Sequence, residues 1–187
     1  MEILNISELN NGLPTITSSY GQEMAEAAVF CLEQNSHKSE NCILNCIKTL
    51  KNDNDTDKFN LTWDELDSRV ESTYGDLEEA TEHGAMGLAM LLSVKLTKYT
   101  TVKRSMKGLG FDYWIGDKNG EMFQEKARLE VSGILNGNDS QFKTRIKQKM
   151  KQTDISDKSG FNCFISVIEF SKPIASFISK KDNNERN

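Results

Sequence analysis

The sequence predicts an α/β sandwich, a mixed sheet lying between helices, and three observations predict it. The stretch KGLGFDYWIGDKNGEMFQEKARLEVSGI, Lys107 to Ile134, reads as two strands joined by a turn. The segment Leu77 to Lys98 has a centre, Gly84 to Leu92, that is apolar nearly all round, so it reads as a buried helix. From Leu77 onward the elements then run helix, strand, strand, strand, helix, strand, an order that suits a sheet covered by helices.

Taken in order, residues 1–17 read as an extended lead-in with a turn near Asn10-Asn11-Gly12 and Pro14. Ser18 or Ser19 is the expected cap of a helix over Tyr20 to Gln34, with Gln22 or Glu23 completing a capping box. Its apolar face is Met24, Ala27, Ala28, Cys31 and Leu32. After a polar loop, Asn35 to Glu40, the run Cys42 to Ile47 reads as a buried strand. The alternating run Phe59 to Trp63 follows across the polar loop Asn52 to Asp57, completing a hairpin. Thr62 or Asp64 is expected to start a further helix with Leu66 and Val70 inward, and Gly75-Asp76 breaks it before the long helix. Gly84, Ala85, Gly87 and Ala89 are small enough to let that helix lie close to a sheet.

The β-branched run in Tyr99 to Arg104 reads as a strand, and Ser105 to Gly110 as a turn into Phe111 to Ile115. Gly116-Asp117-Lys118-Asn119-Gly120 is dense in turn formers, and Ala127 to Ser132 is the next strand. Ser140 or Asp139 is expected to cap a basic helix over Gln141 to Gln152, with Phe142, Ile146 and Met150 inward. Phe161 to Phe170 and Ile174 to Ile178 are the last two strands. The polar tail, residues 180–187, reads as disordered.

The chain has 187 residues, ample for one domain with its own core, and no apolar run approaches the roughly 20 residues of a membrane span. The start, MEILNISELNNG, lacks the basic and apolar regions of a signal peptide, so a cytoplasmic location is expected. Four cysteines do not make a secreted disulfide framework, and Cys31, His37, Cys42 and Cys46 lack the spacing of a zinc set. The net charge of −5 is unevenly placed. Residues 1–94 hold 5 of the 23 basic and 17 of the 28 acidic side chains, whereas residues 95–151 hold 13 and 6. The basic part surrounds the Lys107–Ile134 hairpin, as an enzyme acting on a polyanion requires. The bland reading is a solvated surface with uneven charge.

Two carboxylates make that hairpin a candidate site. Asp112 interrupts an aromatic strand. Period-2 geometry places Glu130 on the face of its strand that also carries Lys126, Arg128 and Ser132, opposite Ala127, Leu129 and Val131. Paired carboxylates on neighbouring strands suit a hard divalent cation. The structural alternatives are a turn-capping Asp112, or one paired with Arg104 or Arg128, and a Glu130 in a cross-strand ion pair.

Glu82 in the long helix, Gly110-Phe111-Asp112 and Glu130-Val131-Ser132 occur in an order that resembles the core of the PD-(D/E)XK nuclease superfamily, and the chain also resembles small bacterial defence-associated proteins. The resemblance covers about Leu77 to Phe170. It implies a restriction-endonuclease-like fold over residues 77–179, with residues 1–76 as an N-terminal helix and β-hairpin extension for docking or oligomerisation. It implies a metal-dependent nuclease acting on DNA, with Glu82, Asp112 and Glu130 holding Mg²⁺ or Mn²⁺. In the family pattern a lysine stands where this chain has Ser132, so Lys126 or Arg128 is the expected substitute cation. The basic side chains Lys143, Arg145, Lys147, Lys149 and Lys151 are candidates to track a phosphate backbone. A protein partner or a second copy is expected, an ATPase of a defence complex among the candidates. The alternatives are a nuclease fold retained for assembly or regulation, which Ser132 favours, and an acidic interaction protein that inhibits a nucleic-acid-binding partner.

Overall fold

The computed structural model describes residues 1–50 and 53–180. In chain order its strands are β1 (Glu2–Asn5), β2 (Cys42–Leu50), β3 (Asp53–Thr62), β4 (Thr101–Arg104), β5 (Tyr113–Asn119), β6 (Met122–Ile134), β7 (Asn162–Glu169) and β8 (Ile174–Ser179). Its helices are α1 (Ser18–Gln34), α2 (Val70–Thr73), α3 (Leu77–Leu96) and α4 (Asp139–Gln152). The eight strands form one mixed sheet in the order β1-β3-β2-β8-β7-β6-β5-β4. The expected mixed α/β layering with flanking helices is therefore present, as is the helix–strand–strand–strand–helix–strand order from Leu77. Residues 1–76 contribute three strands to that same sheet, joined to the rest where β2 pairs in parallel with β8.

Alternation along the central strand β7 sets the layers. Phe164 and Ile168 join the large core beneath α1 and α3, while Cys163, Ile165 and Val167 join Phe142 of α4 in a second cluster. A strand covered on both faces needs apolar residues at every position, which is why Phe161 to Phe170 reads as a continuous apolar run. In β6 the same alternation sends Leu129 and Val131 to the α3 side. The even positions, Arg128, Glu130 and Ser132, therefore face α4.

The small residues of α3 serve a helix as much as the sheet. A Cβ on Gly84 would come within 2.9 Å of Ala27 O, and one on Gly87 within 2.8 Å of Met24 O, so α3 lies directly against α1.

Several boundaries differ from the sequence reading, each for a local reason. The lead-in holds a strand, β1, paired in parallel with β3, followed by a 3-10 turn over Ile6–Asn11 that buries Ile6 and Leu9. Thr17, not Ser18 or Ser19, caps α1, accepting from the Tyr20 N–H at 3.3 Å. The helix expected after Thr62 shrinks to the single turn α2. Asp55 and Asp57, expected in a loop, lie within β3, with Asp55 opposite Lys48 and Asp57 opposite Cys46, and Lys48 Nζ is 2.6 Å from Asp57 Oδ2. Residue 52 of that expected loop lies outside the described residues.

Gly116 does not turn the chain. It continues β5 at a bulge, because a Cβ there would meet Gln124 O at 1.9 Å, and the turn falls at Gly120, which has φ +58°. Asn138 caps α4 in a full capping box with Gln141. Lys180, expected in the polar tail, is buried, with Nζ 2.7 Å from Asp154 and 2.6 Å from Asp157. Residues 181–187 lie outside the described residues. Among the described residues no helix is long and apolar enough to cross a membrane.

Candidate active site

Antiparallel pairing of β5 with β6 brings the two strand carboxylates together. Tyr113 sits opposite Leu129, and the Asp112 N–H continues the ladder by donating to Leu129 O at 3.0 Å. Asp112 therefore lies beside Glu130, on the α4 side of the sheet. Its Oδ2 is fixed by the Val131 N–H at 2.9 Å. Arg104, one expected partner of Asp112, is directed instead to the Tyr113 hydroxyl at 2.9 Å.

Glu130 is 1 % exposed and only half satisfied. Its Oε1 accepts from Lys149 Nζ at 2.7 Å and from Gln152 Nε2 at 2.8 Å, both from α4. Its Oε2 is buried without a hydrogen-bond partner. Burial, joined by the Asp112 charge, pushes the Glu130 carboxyl up to about 7 against the opposing pull of Lys149. Leaving a buried charged oxygen unpaired is unfavourable by about 1–3 kcal/mol or more, so the position asks for a cation or a proton.

Both carboxylates line an open cleft of about 590 Å³, walled by the Ser105–Gly110 loop and by Gln152 and Ile155 beyond the end of α4. Mg²⁺ is commonly held by one or two carboxylates, with water and substrate phosphate completing its shell. The orphaned Glu130 Oε2 beside Asp112 fits that requirement. Among the described residues no group of three or more His, Cys, Asp and Glu side chains is placed to share a metal ion.

The other expected site residues fall elsewhere. Glu82 is exposed on α3, which packs against the opposite face of the sheet, and the fold does not bring it to Asp112 and Glu130. Lys126 is exposed where the strand register shifts between Ile115 and Gly116, and it does not line the cleft. Arg128 shares the Glu130 face but turns away. It donates through Nε at 3.1 Å and Nη2 at 2.7 Å to Phe161 O, through Nη2 to Asp157 at 2.9 Å, and through Nη1 to the Ser156 hydroxyl.

The Ser132 hydroxyl accepts from Arg145 Nη1 at 2.8 Å. Arg145 and Lys149, read from sequence as part of a phosphate-tracking face, are thus turned onto the sheet, while Lys143, Lys147 and Lys151 remain exposed. His37 Nε2 is 3.1 Å from the carbonyl oxygens of Phe170 and Ser171, and all four cysteines are buried and free.

Sequence reasoning missed Lys149 and Gln152 as partners of Glu130. The signal was there. Arg145, Lys149 and Gln152 recur at i, i+4 and i+7, a stripe bordering the apolar stripe Phe142, Ile146 and Met150. Such a border stripe meets whatever polar side chains the sheet presents. No family model, curated protein or solved structure matches this chain.

Proposed function

We propose that this chain is a metal-dependent phosphodiesterase of PD-(D/E)XK-like design that hydrolyses DNA. The observation that carries the reading is the buried, half-satisfied Glu130 beside Asp112, with the Lys149 ammonium 2.7 Å from its other oxygen. The topology supports it as well: α3, the antiparallel meander β4-β5-β6, then α4 leading to β7 in parallel beside β6. Asp112 and Glu130 would hold Mg²⁺ or Mn²⁺, which when bound supplies a Lewis acid and a water of lowered pKa.

The chain's own groups do the rest. Lys149 brings an ammonium from α4 to Glu130 Oε1, as the family pattern brings one from the position of Ser132, and there it would offset the charge of the paired acids. Gln152 fixes the Glu130 rotamer, and the Val131 N–H fixes Asp112. The acidic residues 1–76 would serve as a docking face for a protein partner, since the net of −12 over residues 1–94 opposes unaided contact with DNA.

A second reading, a nuclease fold kept for assembly, is favoured by Arg145 occupying Ser132 and by Glu82 standing apart. Cleavage assays with Mg²⁺ and Mn²⁺ separate the two. Asp112→Asn and Lys149→Met are each expected to lower the rate at least about 100-fold, in the range reported for loss of one electrostatic catalytic group. A folded wild type that cuts neither DNA nor RNA with either ion, alone or with its partner, would leave the assembly reading standing.

A further inference from the structure

We propose that the cleft takes an unpaired nucleic-acid strand, with Met106 and Ile155 packing on base faces while a phosphate would meet the cation that Asp112 and Glu130 would hold. The proposal rests on the nuclease reading above and adds its substrate class.

Met106 and Ile155 are 74 % and 70 % exposed, yet both line the cleft whose floor carries the carboxylates. They come from separate elements, Met106 from the loop before β5 and Ile155 from the 3-10 segment Thr153–Ser159 after α4. Leu109, 36 % exposed, lies in the same loop. Two large apolar side chains from separate elements thus border the same cleft as the two acids.

The loop is built rather than slack. The Ser105 N–H donates to Asp112 O at 2.9 Å, and the Ser105 hydroxyl donates to Phe111 O. Gly110, at φ +80°, admits Ile155 against its backbone, since a Cβ there would sit 3.1 Å from Ile155 Cδ1. The same loop adds the exposed ammonium of Lys107.

A phosphodiester chain with exposed bases presents apolar faces and phosphates in alternation, and the cleft presents apolar side chains, a lysine and a carboxylate pair. A duplex hides its base faces in the stack and offers the rim only sugar and phosphate. The open cleft, about 590 Å³, has room for part of a strand beside the carboxylates. Overall charge points the same way. Duplex binding by a protein of net charge −5 must draw on phosphate contacts, whereas single-strand binding draws more on packing against bases and has the weaker salt dependence.

The test is fluorescence anisotropy of the full chain with a labelled single strand and with its duplex, Ca²⁺ replacing Mg²⁺ to slow cutting. The single strand is expected to bind about 10-fold tighter or more. The double variant Met106→Ser, Ile155→Ser is expected to lose about 10-fold on the single strand, with duplex affinity and unfolding temperature unchanged, since both side chains are exposed. Equal or tighter duplex binding, single-strand binding unaffected in the variant, or no binding of either nucleic acid would overturn the proposal. Selective single-strand binding without metal-dependent cutting would instead sink the nuclease reading alone. Metal-dependent cutting of duplex with no single-strand preference would sink this inference alone.

Discussion

Arg128 and Glu130 stand two residues apart on the same face of β6, both charged and both almost fully buried, at 2 % and 1 % exposure. Arg128 is met at Nε, Nη1 and Nη2 by Phe161 O, Ser156 and Asp157, and Asp157 is shared with the buried Lys180. Glu130 has one oxygen doubly bonded by α4 and the other bonded to nothing, beside a second carboxylate at the wall of a cleft. The difference teaches what burial of charge means in this fold. A buried charge met at each of its nitrogens ties one element to another, here the 153–161 segment to the sheet. One left half spent marks a place kept for something else.

The largest effect is expected at Arg128. Arg128→Met removes the cation from a buried network and leaves Phe161 O and part of Asp157 unanswered. A loss of about 3 kcal/mol, or roughly 6–12 °C in the unfolding temperature, is expected by calorimetry. Cutting should survive at temperatures where the variant is folded.

Glu130→Gln should act in the opposite direction, and with a pH signature. The folded carboxyl titrates near 7 against an ordinary 4.5, so between these values the folded state holds a proton that the unfolded state has lost. Wild-type stability therefore falls as pH rises through that window and levels off above it, a loss of about 3 kcal/mol at most. Glutamine keeps the neutral form at every pH. The variant is expected to match wild type near pH 4.5, to be the more stable at pH 8, and to be inactive. Thermal melts over pH 4.5–8 read the slope, and parallel curves would contradict it.

Saturating Mg²⁺ should supply at pH 8 what the proton supplies at pH 5. An increase of roughly 2–3 kcal/mol at about 100 times Kd is expected for wild type, and none for Glu130→Gln. The smallest effects belong to residues that the fold leaves outside the site. Glu82→Ala and Lys126→Ala are expected to change stability by no more than about 0.5 kcal/mol, with cleavage unaltered. A large loss of cutting in Glu82→Ala would bring α3 back into the site.

How far the sequence went is seen in particular elements. The continuous apolar run Phe161 to Phe170, the glycine- and alanine-rich α3, and the order of elements from Leu77 were legible because burial on one or both faces dictates residue type position by position. So was the juxtaposition of Asp112 and Glu130, which follows from strand pairing alone. The strand β1 was not legible, because a four-residue edge strand in a lead-in has no periodicity of its own and exists through its pairing with β3. The β-bulge before Ala127 moved Lys126 out of step with its neighbours, so period-2 counting misplaced it. The bond from Lys149 to Glu130 was not legible, since a basic helix read alone shows its charge but not the carboxylate it meets. Glu82 was placed by the resemblance, whereas α3 covers the other face of the sheet, so close that a Cβ on Gly133 would meet Thr81 O at 2.4 Å.

The most direct measurement is the anomalous signal from a crystal of this chain equilibrated with Mn²⁺ at pH 8. One peak is expected in the cleft, in contact with the Asp112 carboxylate and Glu130 Oε2, lost in Glu130→Gln and kept in Glu82→Ala. Crystals with no peak at that position, or with a peak that survives Glu130→Gln, would contradict it.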